Sequence, residues 1–207
     1  PTYAAVVAAF MDSHGLRRGV FIGTSMGGLI TMTWAALAPD RVAAAVLNDI
    51  GPALNPAGLQ RIAGYVGKTT PVHSWDEAAE RIAAINGPAF PGQSPAFWRQ
   101  FAARTVRQYP DGRRELAYDP AIALPFKTMD PEAPPADLTP VFASLAQKPV
   151  LVVRGALSDL LSPDGVALLR QHKPDLEVVE VADVGHAPTL EEPVVTAALA
   201  AFFAKVP

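Results

Sequence analysis

The 207 residues are 50% hydrophobic and 18% charged, a composition that supports a buried core and excludes intrinsic disorder. A formal net charge of −3, with 17 Lys and Arg scattered against 20 Asp and Glu, leaves no basic face and excludes a nucleic-acid partner. The absence of cysteine removes disulfides, thiol nucleophiles and thiolate-held metals, and suits the reducing cytoplasm expected here, although a bacterial exported enzyme shares it.

The chain starts with "PTYAAVVAAFMDSHG". Helically spaced Val6, Val7, Phe10 and Met11 predict a helix over about 3–13, capped by Thr2 and stopped by Gly15. The stretch has no basic leader and no initiator Met, so the expectation is a chain that begins inside a larger domain. No run reaches the roughly 18 to 20 apolar residues of a membrane span, so no membrane partner is expected. "GVFIG" (19–23) predicts a buried parallel strand, "MGGLITMTWAAL" (26–37) a helix, and "RVAAAVLND" (41–49) a second buried strand. Strand, helix and strand in about 30 residues make a βαβ unit and predict a parallel α/β sheet.

Between Gly51 and Pro140 lie thirteen of the 21 prolines, which disfavours long regular elements. Helical pieces are expected near 57–66, 75–86 and 95–108, with looser chain to about 140. Residues 51–147 therefore read as a mostly helical insertion, or lid. The α/β rhythm returns with "PVLVVRG" (149–155), a helix over 162–172 capped by Ser162, a strand "LEVVEVAD" (176–183) and a terminal helix over 191–206. The core is thus expected at 1–50 and 148–207.

Three turns carry chemistry. Gly23-Thr24-Ser25-Met26-Gly27 fits G-x-S-x-G, a strand-to-helix turn whose glycines let the backbone bend tightly and lift a serine hydroxyl above the sheet edge. The Met26 N–H then points where an oxyanion would develop, at a helix N-terminus. The phosphate-cradling glycine patterns are absent. A serine nucleophile needs a base. His14, His73 and His172 are expected on the surface, whereas His186 in "VADVGHAPTLEEP" follows a strand on the same carboxyl rim as Ser25. The imidazole needs a carboxylate. Asp159, four residues past a strand, is the first candidate, and Asp49, at the end of the strand beside the nucleophile's, is the second. Trp98 and Phe97, with other lid aromatics, either line an apolar substrate pocket or form the lid's own core.

These pieces, "VFIGTSMGGL", "AAAVLNDIGP", "PVLVVRGALSDLLS" and "VADVGHAPTLEEP", resemble the α/β-hydrolase fold superfamily in order and spacing. "NDIGP" and "YDPAIALPF" (118–126) are similar to a bacterial branch generally labelled carboxylesterases. The resemblance implies a mostly parallel sheet with helices on both faces and a cap insertion. It also implies a Ser25 nucleophile, an Asp159 acid, a His186 base and Met26 as oxyanion donor, with no metal or organic cofactor. The implied substrate is a small carboxylic ester. Lactonase, carbon–carbon hydrolase and perhydrolase activities use the same residues, and a non-catalytic ligand-binding role is the reading from another class. The family's opening strands and its HG-type oxyanion loop have no counterpart here. The expectation is therefore a site and a sheet that a preceding segment or a second chain completes, and a 207-residue chain inactive and not monomeric on its own.

Overall fold

Thr2–Ser13 form helix α1, which ends where Gly15 takes φ +65°, a conformation that glycine adopts without strain. Thr2 lies inside this helix rather than capping it. Only Ala4 and Met11 are buried, while Val6 and Phe10 of the expected stripe stand exposed. Gly19–Thr24 form strand β1, Met26–Leu37 helix α2 and Val42–Asn48 strand β2. The computed structural model describes residues 2–68, 70–127 and 136–206. The chain divides into two compact units, Pro1–Pro56 with Pro135–Pro207, and Ala57–Pro134.

In the first unit, Thr139–Phe142 form helix α7, Val150–Gly155 strand β5, Pro163–His172 helix α8, Glu177–Val181 strand β6 and Pro193–Phe203 helix α9. The sheet order is β1-β2-β5-β6, parallel throughout. Every residue of β2 and β5 is buried, as central parallel strands require. The expectation of a buried β1 needs correction. Val20 is 39% exposed and Ile22 51%, because among the described strands β1 has a neighbour on one side only. The register pairs Thr24 with Asn48, Asn48 with Val153 and Val153 with Val179. The carboxyl ends of all four strands therefore meet along one rim. The expected cap of α8 is present, with the Ser162 hydroxyl accepting the Gly165 N–H at 3.0 Å.

In the second unit, Pro56–Tyr65 form helix α3, Trp75–Asn86 helix α4 and Pro95–Thr105 helix α5. Val106–Gln108 and Arg114–Leu116 form strands β3 and β4, and Leu124–Lys127 the short helix α6. The caps of α4 and α5 are Ser74 and Ser94, which accept the N–H of Glu77 and Phe97. The third expected helix stops three residues early. Its end, 106–108, pairs antiparallel with 114–116, closed by Gly112 at φ +85°. "PDG" at 110–112 was the available signal for this hairpin. The part of the expected lid at 128–135 lies outside the described residues. Among the described residues no helix is long and apolar enough to cross a membrane.

Candidate active site

The turn after β1 is shaped by backbone contact. A Cβ on Gly23 would sit 2.4 Å from the Gly27 carbonyl carbon, and one on Gly28 would sit 2.3 Å from Ile50 Cγ2. Gly27, the last glycine of the motif, faces open space. The steric demand therefore falls on Gly23 and Gly28, a correction to the reading of both motif glycines as forced. The compression leaves Ser25 at φ +50°, a region costly for a side-chain-bearing residue. The conformation is held by the Ser25 N–H donating to Asn48 O at 3.0 Å and by Gly28 N–H donating to Ser25 O at 2.9 Å. Met26 opens α2, so its N–H has no partner within the helix and lies at the positive end of the dipole.

His186 follows β6. Its Nε2 lies 3.0 Å from Ser25 Oγ, and its Nδ1 lies 2.7 Å from Asp49 Oδ2. Since a carboxylate only accepts, Nδ1 carries the proton and Nε2 is left to accept from Ser25. The imidazole side chain is 7% exposed and Asp49 0%. Asn48, also fully buried, braces the histidine loop against the serine turn. Its Nδ2 donates to Thr24 Oγ1 at 3.0 Å and to Pro188 O at 2.8 Å.

Asp159 was the first expectation for the acid, and here the structure corrects the sequence. The carboxylate set against His186 Nδ1 is that of Asp49. Asp49 follows β2 at φ +55°, with its N–H donating to Val153 O at 2.7 Å. That backbone turns its side chain along the rim toward β5 and β6. Its Oδ1 accepts the Gly155 N–H at 2.9 Å, and its Oδ2 accepts the Ser158 hydroxyl at 2.5 Å together with His186. A buried carboxylate is tolerable only with such partners. Close approach here also depends on Gly155, where a Cβ would lie 2.4 Å from Gly185 O. Asp159 is half-buried on the same loop as Ser158. Neither Ser158 nor Asn48 was picked out from sequence, since serine and asparagine in loops carry no pattern.

The remaining histidines lie on the surface as expected: His14, His73 and His172 are exposed. Phe97 and Trp98 sit on α5 of the second unit. They pack on Phe90 and Phe101 with ring centroids 5.0–6.3 Å apart, and Trp98 is buried, so the cluster forms core of that unit.

A hydroxyl, an imidazole and a buried carboxylate in one hydrogen-bonded line, beside a free helix N–H, are equipped for acyl transfer. Residues 1–193 match the model of the alpha/beta hydrolase fold family. The chain is 36% identical over 208 residues to a 3-hydroxybutyrate-oligomer hydrolase of Cupriavidus necator, covering 98% of this chain and 71% of that enzyme. It is 27% identical to a 2-(acetamidomethylene)succinate hydrolase of Mesorhizobium japonicum, covering 89% of this chain and 63% of that protein. A crystal structure of an alpha/beta hydrolase from Novosphingobium aromaticivorans superposes with a TM-score of 0.89 at 40% identity, over 99% of this chain and 71% of that one.

Proposed function

The chain belongs to the α/β-hydrolase fold family, and from that premise we propose that it is a serine hydrolase of small carboxylic esters working through Ser25, His186 and Asp49. The observation that carries the reading is the continuous line from Ser25 Oγ through His186 to Asp49 Oδ2. Ser25 Oγ bonds to the ester carbonyl carbon as its proton passes to Nε2, and the carbonyl electron pair moves onto oxygen beside the Met26 N–H. Collapse of that intermediate expels the alcohol oxygen, which takes the proton from Nε2 and leaves an acyl-serine. Water then attacks the acyl carbon as Nε2 accepts its proton, and the carboxylic acid departs as Ser25 regains a proton. Asp49 stabilises the imidazolium formed in each half.

The relative that is 36% identical is named for oligomers of 3-hydroxybutyrate, which supports an ester of a short hydroxy acid as the substrate class. The unit Ala57–Pro134 is proposed as the cap insertion, with Phe97 and Trp98 in its aromatic cluster. The exposed apolar side chains of β1 and α1, Val20, Ile22, Val6 and Phe10, support a further strand and its connection covering that edge, carried by the same polypeptide or by a second chain.

The test is a fluorophosphonate probe with the adduct located by mass spectrometry, alongside chromatographic assay of a linear 3-hydroxybutyrate dimer. Ser25 is expected to be labelled. Ser25→Ala is expected to lose labelling and to lower turnover by about 10⁴- to 10⁶-fold with an unchanged melting temperature. A wild-type protein that folds but is not labelled returns the fold to a ligand-binding role.

A further inference from the structure

The loop after β5 holds a hydroxyl that the three reacting groups do not account for. Ser158 Oγ donates to Asp49 Oδ2 at 2.5 Å and accepts the N–H of Leu160 at 3.2 Å and of Leu161 at 3.1 Å. A serine hydroxyl has one proton and two lone pairs. Both lone pairs are engaged by the main chain, so the proton can go only to the carboxylate. The loop itself is anchored. Arg154, 4% exposed, donates to Leu161 O at 2.8 Å and pairs with Glu180 at 2.5 Å, while Leu157 N–H donates to Val184 O at 2.8 Å in the histidine loop. The hydroxyl is thus aimed before any substrate arrives.

We infer that Ser158 is a positioning residue for the Asp49–His186 pair: it fixes the carboxylate rotamer and draws charge from Oδ2, the oxygen that His186 shares. Gly155 N–H holds only Oδ1, so without Ser158 the one donor left on Oδ2 among the described residues is His186 itself; the plane of the carboxylate is then held less firmly, and Oδ2 carries more of its charge. Two effects follow. The imidazole is oriented less sharply toward Ser25, and the more concentrated charge on Oδ2 favours the protonated imidazolium. The other charged groups on the surrounding loops are Asp159 beside Ser158, Asp183 ahead of His186, and Glu191 and Glu192 beyond it. Glu192 Oε1 is engaged by Thr189.

This inference rests on the serine-hydrolase reading, so the experiment reads both. The rate of Ser25 modification by a fluorophosphonate is followed from pH 5 to 9 for wild type, Ser158→Ala and Ser158→Thr, with melting temperatures measured in parallel. Ser158→Ala is expected to react about tenfold more slowly on the plateau, the loss of one hydrogen bond to a charged group. Its acid limb should move to higher pH, and Ser158→Thr, which keeps the hydroxyl, should restore both. A lower melting temperature with an unmoved acid limb would make Ser158 a loop staple and overturn the inference, as would a Thr variant no better than Ala. Absence of labelling in wild type would instead remove the hydrolase reading on which it stands.

Discussion

The residues that follow β1 and β2 both take a positive φ, Ser25 at +50° and Asp49 at +55°, but their surroundings hold them differently. Ser25 is fixed by main-chain packing, in which Gly23 lies against Gly27 and Gly28 too closely to admit a Cβ. Asp49 is fixed by donors from three other places in the chain: Gly155, Ser158 and His186. The contrast separates two kinds of sensitivity. The Ser25 turn tolerates no added atom at Gly23, whereas the Asp49 turn depends on the polarity of its neighbours.

The sharpest way to break that comparison is at Asp49. Asp49→Asn places an amide against the histidine and favours the wrong tautomer, so kcat for ester turnover should fall by about 10⁴-fold, while Asp159→Asn changes it far less. The reverse ranking in steady-state kinetics would give the acid role to Asp159. Next comes Gly23→Ala, which should lower stability in urea by about 3 kcal/mol or more as the β1–α2 turn is forced apart. Gly27→Ala should leave the fold intact and add up to about 1 kcal/mol, since alanine suits a helix better than glycine and meets open space there.

The smallest effect expected concerns a carboxylate held in the opposite way, at the surface and by a full charge. The hydrogen bond from the Lys173 ammonium holds the Asp175 carboxyl below the usual aspartate range. A carboxyl depressed in the folded state stabilises above its unfolded value, and that contribution disappears as pH falls through the folded value. Asp175→Asn should therefore be slightly less stable than wild type near neutral pH, and thermal melts of the two should converge below about pH 4. The effect is small because Asp175 is 78% exposed and screened by solvent.

What the amino-acid order determined by itself is whatever depends on near neighbours in the chain. The βαβ rhythm, the strands at β2 and β5, the serine caps at Ser74, Ser94 and Ser162 and the Ser25 turn were legible because periodicity, capping and glycine sterics act over a few residues. The place of His186 was legible too, since a loop after a parallel strand must fall on the carboxyl rim. Which of Asp49 and Asp159 faces His186 was not, because both residues lie on that rim. The decision rests on side-chain direction, which depends on a positive φ at residue 49 and on hydrogen bonds spanning more than a hundred residues. Ser158 and Asn48 were hidden for the same reason, being ordinary polar residues until the sheet register brings four strand ends together. The exposure of β1 likewise depends on which strands lie beside it, a property of the assembled sheet rather than of Gly19–Thr24.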